Sequence, residues 1–322
     1  MRIPFAVLLA FIELRDRPVR TLKGSNRPTA RNLGSWEKAS PLPSWRYEFA
    51  ATALGDEIFV IGGVWLPSVW FPTRLAEAYN TKTGTWRKVR PYPKLVHHTG
   101  AVSCGNELYI VGGNGIRIWP KSDVYAYQSK TDQWHKRASL PTARGALGVV
   151  AIGIRIYAVG GGINKIPVDV LEIYDTKTDR WQKGRPMPTP REHIAAAAAD
   201  GKMFVLGGYQ HVRFNNLTTN EAYDPKTDTW EARAPLPYAV SGFAAAAIDK
   251  SIFIFGGEQG WAVSPEVHEY VVTRDIWVRR KDLSVGRYAL TATAVGRQIH
   301  VIGGNALLMG DDFRNDHDIF MP

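Results

Sequence analysis

Six tryptophans each stand 26 residues ahead of the first glycine of a Gly-Gly pair: Trp36 and Gly62, Trp86 and Gly112, Trp134 and Gly160, Trp181 and Gly207, Trp230 and Gly256, Trp277 and Gly303. Tyrosine precedes tryptophan by seven residues in five of these units, at Tyr79, Tyr127, Tyr174, Tyr223 and Tyr270. Only the stretch from Gly-Gly to tyrosine varies, at 17, 15, 14, 16 and 14 residues. A period of 47–50 residues held in register six times means one supersecondary unit built six times. Such a unit buries its apolar faces only by stacking on its neighbours.

The local chemistry of each mark is that of a strand or a turn. Four apolar or aromatic residues precede every Gly-Gly, as in Ile58-Phe59-Val60-Ile61, which suits a strand covered on both faces. The glycines allow positive φ and close backbone approach where that strand ends. Asp224-Pro225-Lys226-Thr227-Asp228-Thr229 and its equivalents read as hairpin turns between the tyrosine and tryptophan strands. The repeated Tyr and Trp then read as packing between units. Over residues 35–320 this signature resembles the Kelch family, whose unit is one four-stranded propeller blade. The resemblance implies an all-β chain, a six-bladed β-propeller of four-stranded antiparallel blades, with residues 35–322 as the propeller and 1–34 as a separate N-terminal segment.

The sixth unit lacks Tyr-x6-Trp; Phe320 stands 17 residues past Gly303, where tyrosine is expected. The missing outer strand is the extra one around Trp36, so the ring is expected to be closed by the N-terminal strand, removing a sheet edge.

With the strands lettered a to d outward from the axis, the d–a linkers and b–c loops leave on one face. The variable b–c loops on a rigid scaffold make that face the expected binding face. Trp65, Trp70, Trp119 and Trp261 all lie between a Gly-Gly and the next tyrosine position, with Tyr209 in the fourth such loop. Sixteen residues before each Gly-Gly stand Arg46, Val96, Arg144, Arg191, Val240 and Arg287, and the four arginines are expected to ring the channel mouth and bind a carboxylate. His97 is placed beside them. In Kelch adaptors of ubiquitin ligases, matching arginines contact acidic peptides, so the resemblance implies a protein or glycan partner, acidic in character. The alternative it implies is a sugar mutarotase like the six-bladed N-acetylneuraminate epimerase, with Glu48, Glu192 or His193 as acid–base groups.

Other classes find little support. The sequence has net charge +10, but residues 1–34 carry +5 of it (seven basic, two acidic), and no basic stripe marks the rest as a nucleic-acid surface. Cys104 is the only cysteine, which excludes an intrachain disulfide. It falls in an a–b turn with no tyrosine or histidine pair beside it, unlike the copper site of galactose oxidase. Adjacent strand residues such as His97 and His98 point to opposite faces, so no metal site is expected from them, and no cofactor is expected. The apolar run in residues 1–12 is too short to span a bilayer. It reads either as a signal segment, placing the protein outside the cytoplasm, or as part of a basic tail.

Overall fold

Six antiparallel four-stranded meanders follow one another along the chain. The computed structural model describes residues 33–66, 71–210, 215–308, 310 and 312–322, so almost all of the segment 1–34 and Trp70 lie outside the described residues. Strands a to d of the first blade are Ala50–Leu54, Glu57–Ile61, Ala76–Asn80 and Thr85–Lys88. Blades 2 to 5 occupy 100–136, 148–183, 195–232 and 244–279. Blade 6 comprises Thr291–Val295, Gln298–Ile302, His317–Met321 and Ser35–Lys38. Among the described residues no helix is long and apolar enough to cross a membrane.

The six a strands pack against one another in a closed circle about the axis, where space is least. Small residues fill them, down to Ala195–Ala199 as five consecutive alanines. Alanine is a poor strand former, and packing overrides that preference. A Cβ placed on Gly100 would come within 2.1 Å of Val149 in the next blade. The b strands are buried, Ile58, Phe59, Val60 and Ile61 among them, and each pair of adjacent blades encloses its own apolar cluster. At the end of strand b the second glycine donates to a carbonyl of the next blade, as Gly113 does to Arg144 at 2.9 Å. With φ of +61° and +103°, Gly112 and Gly113 make that approach where a side chain would meet backbone oxygen.

The outer rim carries a second, polar tie between blades. Asp132 Oδ1 accepts the Tyr127 hydroxyl at 2.6 Å and the Arg90 N–H of the preceding linker at 2.8 Å. Trp134 Nε1 donates to the Arg90 carbonyl at 2.9 Å. The same tie recurs through Asp179 and Trp181 on Ala138, Asp228 and Trp230 on Arg185, and Asp275 and Trp277 on Ala234. These aspartates therefore do more than shape a hairpin turn. Each holds its carboxylate below the usual range, helped by the tyrosine and backbone donors.

Closure follows the expected plan. Ser35–Lys38 pairs antiparallel with the last strand, Trp36 opposite Phe320, as Trp86 stands opposite Tyr79 in blade 1. Trp36 and Phe320 rings lie 4.8 Å apart, and Trp36 Nε1 donates to Lys281 O at 3.0 Å. Buried behind this seam, His317 touches the Tyr79 ring at 4.5 Å and shares a 2.8 Å hydrogen bond with His300.

The arginines correct the sequence expectation. Arg46, Arg144, Arg191 and Arg287 do not line the mouth: all four are 0–1% exposed. Arg144 Nη1 donates to Glu172 Oε2 at 2.5 Å, Nε to Gly160 O at 2.8 Å and Nη2 to Ala158 O at 2.9 Å. Arg46 pairs with Glu77, Arg191 with Glu221 and Arg287 with Asp318. Each guanidinium thus staples strands a, b and c of one blade. Desolvation pulls these arginines below their ordinary pKa, and the carboxylate beside each works against that pull. Where blades 2 and 5 carry Val96 and Val240 instead, the acid two residues before the tyrosine is replaced by Tyr125 and His268.

Three outcomes are expected. A chain lacking residues 1–32 unfolds at the wild-type temperature, whereas removal through Lys38 exposes the edge of blade 6 and lowers the midpoint in a thermal melt. Arg144→Val strands a buried carboxylate and costs about 3–5 kcal/mol in denaturant unfolding, and Arg144→Val/Glu172→Tyr, which copies blade 2, recovers most of it. Burial holds His300 at about 4 and His317 at about 3, below the roughly 6.5 of an unfolded imidazole. As pH falls through that window the unfolded chain binds protons the native state refuses, so stability drops by up to about 1.4 kcal/mol per pH unit for each. Between pH 7 and 5, His317→Gln should lose stability less steeply than the wild type.

Candidate functional site

At the head of every a strand, fourteen residues before the first glycine, stand Glu48, His98, Ala146, His193, Gly242 and Ala289. All six hold left-handed backbone, with φ between 50° and 59°. Each donates its N–H to the carbonyl of the equivalent residue in the preceding blade: His98 to Glu48 at 3.0 Å, Ala146 to His98 at 2.8 Å, His193 to Ala146 at 3.1 Å. Gly242 to His193 at 3.1 Å, Ala289 to Gly242 at 2.7 Å and Glu48 to Ala289 at 3.4 Å complete a closed hydrogen-bonded ring around the axis. Left-handed backbone disfavours a non-glycine residue by roughly 1–2 kcal/mol, so the ring bonds sustain that conformation at five positions.

The ring backs a cavity of about 110 Å³ on the b–c loop face. Into it converge Glu48, His98 and His193. His98 Nε2 lies 3.2 Å from Glu48 Oε2 and 3.2 Å from His193 Nε2. Only Ala146 separates the two histidines on the ring, and their imidazole centroids lie 5.0 Å apart. His97, one residue back, is buried with its ring 4.7 Å from that of His98. Its Nε2 lies 3.1 Å from the Gly115 carbonyl and its Nδ1 lies 2.5 Å from His98 Nδ1. A carbonyl only accepts, so His97 donates through Nε2 and receives the His98 Nδ1–H through Nδ1. Burial, then the neighbouring His98, keeps His97 neutral, at about 3.

The sequence reading placed Glu48, His193 and His97 here, and the structure brings them together with His98, which that reading dismissed as a ligand. Glu192 stands beside the cluster. It is buried under the blade 3 loop, where desolvation raises its carboxyl while Tyr209 draws it down. Tyr209 stacks on the His193 ring at 4.9 Å.

Around the mouth the loops present apolar surface. Of nine exposed large hydrophobic side chains among the described residues, eight (Trp45, Trp65, Phe71, Ile116, Trp119, Ile166, Trp261 and Leu307) lie on d–a linkers or b–c loops. Only Ile154 is on the other face. Trp119 is 71% exposed, Trp261 65% and Trp65 55%. Beside Trp119 a groove of about 490 Å³ runs between blades 1 and 2, bordered by Ile116, Leu95, Arg74, Lys94 and Lys121. Among the described residues three cations and no acid edge it. The sequence reading overlooked these cations because it sought positive charge at a repeated register position, whereas Arg74 and Lys121 sit in b–c loops of different length and Lys94 has no basic equivalent in the other blades.

Residues 97–304 match the family model described as the KLHDC2/KLHL20/DRC7 Kelch-repeats domain, and residues 46–91 match the Kelch motif. No curated protein is a significant match to the chain. The propeller and the extent of the family match agree: the chain belongs to the Kelch-repeat family.

Proposed function

We propose that this propeller, like Kelch domains generally, is a protein-interaction module, and that it takes an acidic, partly apolar peptide segment across its b–c loop face. The observation that carries this reading is the one-sided distribution of exposed aromatic and aliphatic side chains, eight of nine on a single face. Exposed apolar surface of that extent on one face marks an interaction surface, and exposed tryptophans are the residue type that most often anchors a partner. The groove edged by Arg74, Lys94 and Lys121 supplies the charge selection, favouring carboxylates and disfavouring basic segments. The four buried arginines add nothing to the surface potential there, because each is neutralised inside its own blade.

Panning a random linear-peptide display library on the purified chain tests the reading. Enriched peptides should carry Asp or Glu next to an apolar residue. Their affinity should fall at least about tenfold in Trp119→Ala, equivalent to about 1.4 kcal/mol, and in Lys94→Glu/Lys121→Glu, with the melting temperature unchanged. Peptides that bind all three proteins alike, or enrichment only on a glycan array, would overturn it.

A further inference from the structure

We propose that Glu48, His98 and His193 form a binding site for one divalent transition-metal ion on the propeller axis. Their three ligand atoms lie within 4.8 Å of one another. A tetrahedral ion bound at about 2.0–2.1 Å holds its ligand atoms about 3.3 Å apart. The two separations from His98 Nε2, each 3.2 Å, are already at that value. The donor set, two imidazoles and one carboxylate, is one that zinc, cobalt and ferrous iron accept.

Hydrogen bonding around the cluster points the same way. His98 donates through Nδ1 to His97, which in turn donates to the Gly115 carbonyl. This relay sets the tautomer of His98, so that its Nε2 lone pair faces the cluster. There it meets a carboxylate oxygen, acceptor facing acceptor, and a second imidazole nitrogen, and a cation placed between the three would satisfy them together. A ligating histidine whose other nitrogen donates to a fixed acceptor is the usual outer arrangement of metal sites. The backbone adds rigidity, since all three residues hang from the hydrogen-bonded ring and are placed by it. Burial suits a bound ion as well: the side chains of His98 and Glu48 are 5% and 14% exposed.

The remaining ring positions are Ala146, Gly242 and Ala289, none of which brings a ligand atom. Three protein ligands leave at least one coordination position directed into the cavity, as in sites where a metal binds an exogenous oxygen or nitrogen donor rather than only bracing the fold. This site is independent of the peptide groove, which lies between the blade 1 and blade 2 loops, off the axis.

The test uses the untagged full chain, stripped with a chelator and titrated with Zn²⁺ by calorimetry and with Co²⁺ by visible absorption. One equivalent should bind, with cobalt giving the intense bands of a four-coordinate nitrogen–oxygen site. Glu48→Gln, which keeps side-chain volume, and His98→Ala should each abolish stoichiometric binding. His97→Phe, which removes only the relay, should weaken it by about 10–100-fold. Apo variants that melt with the apo wild type establish that the fold is intact. Failure of the wild type to bind either ion stoichiometrically, or binding that survives both Glu48→Gln and His98→Ala, overturns the site; the cluster would then be held by a shared proton.

Discussion

No blade of this propeller owns a core. Every large apolar side chain of strands b and c is covered by the adjacent blade, so each of the six clusters is an interface and each blade is stable only between two others. That constraint accounts for the rest of the architecture. It makes small residues obligatory on the inner strands, where neighbouring sheets converge, and it calls for directional ties farther out, where the sheets diverge. The Asp–Tyr–Trp contacts supply those ties by engaging one linker residue through both its N–H and its carbonyl. It also makes the seam at Trp36 the one place where continuity depends on chain ends meeting rather than on successive residues.

Much of this was legible in the sequence because repetition converts position into geometry. The constant distance from Trp to Gly-Gly identifies strands a, b and d without any propensity argument, and the displaced Trp36 and Phe320 identify the closing blade. What register does not reveal is the direction a side chain takes from its strand. Arg144 stands four residues ahead of strand a, yet its guanidinium turns in to donate to the Gly160 carbonyl. The sign of this was present in the repeats: Glu77, Glu172, Glu221 and Asp318 occur only in blades with an arginine, and vanish with Val96 and Val240. Pairing within each unit, rather than the arginine alone, carries that information.

The histidine cluster was hidden for a different reason. His98 and His193 are 95 residues apart, and alternation along a strand assigns His97 and His98 to opposite faces. Alternation does not hold here, because His98 has left-handed backbone and the two rings lie 4.7 Å apart with their Nδ1 atoms in contact: one histidine joins the axis and the other hydrogen-bonds it from behind. The loop face was foreseen as the variable one, but Arg74 and Lys121, edging the groove beside Trp119, belong to b–c loops of unequal length, and Lys94 belongs to a linker whose equivalents in the other blades are not basic.

The hydrogen-bonded ring at the axis has an electrostatic consequence. Six peptide N–H groups donate in one rotational sense, each taken up by the carbonyl of the blade before it. A helix end offers an intrinsic partial charge to its ligand; this mouth offers none of its own from that ring. The ring's own contribution to a ligand is consequently left to its six side chains, of which Ala146, Gly242 and Ala289 carry no charge.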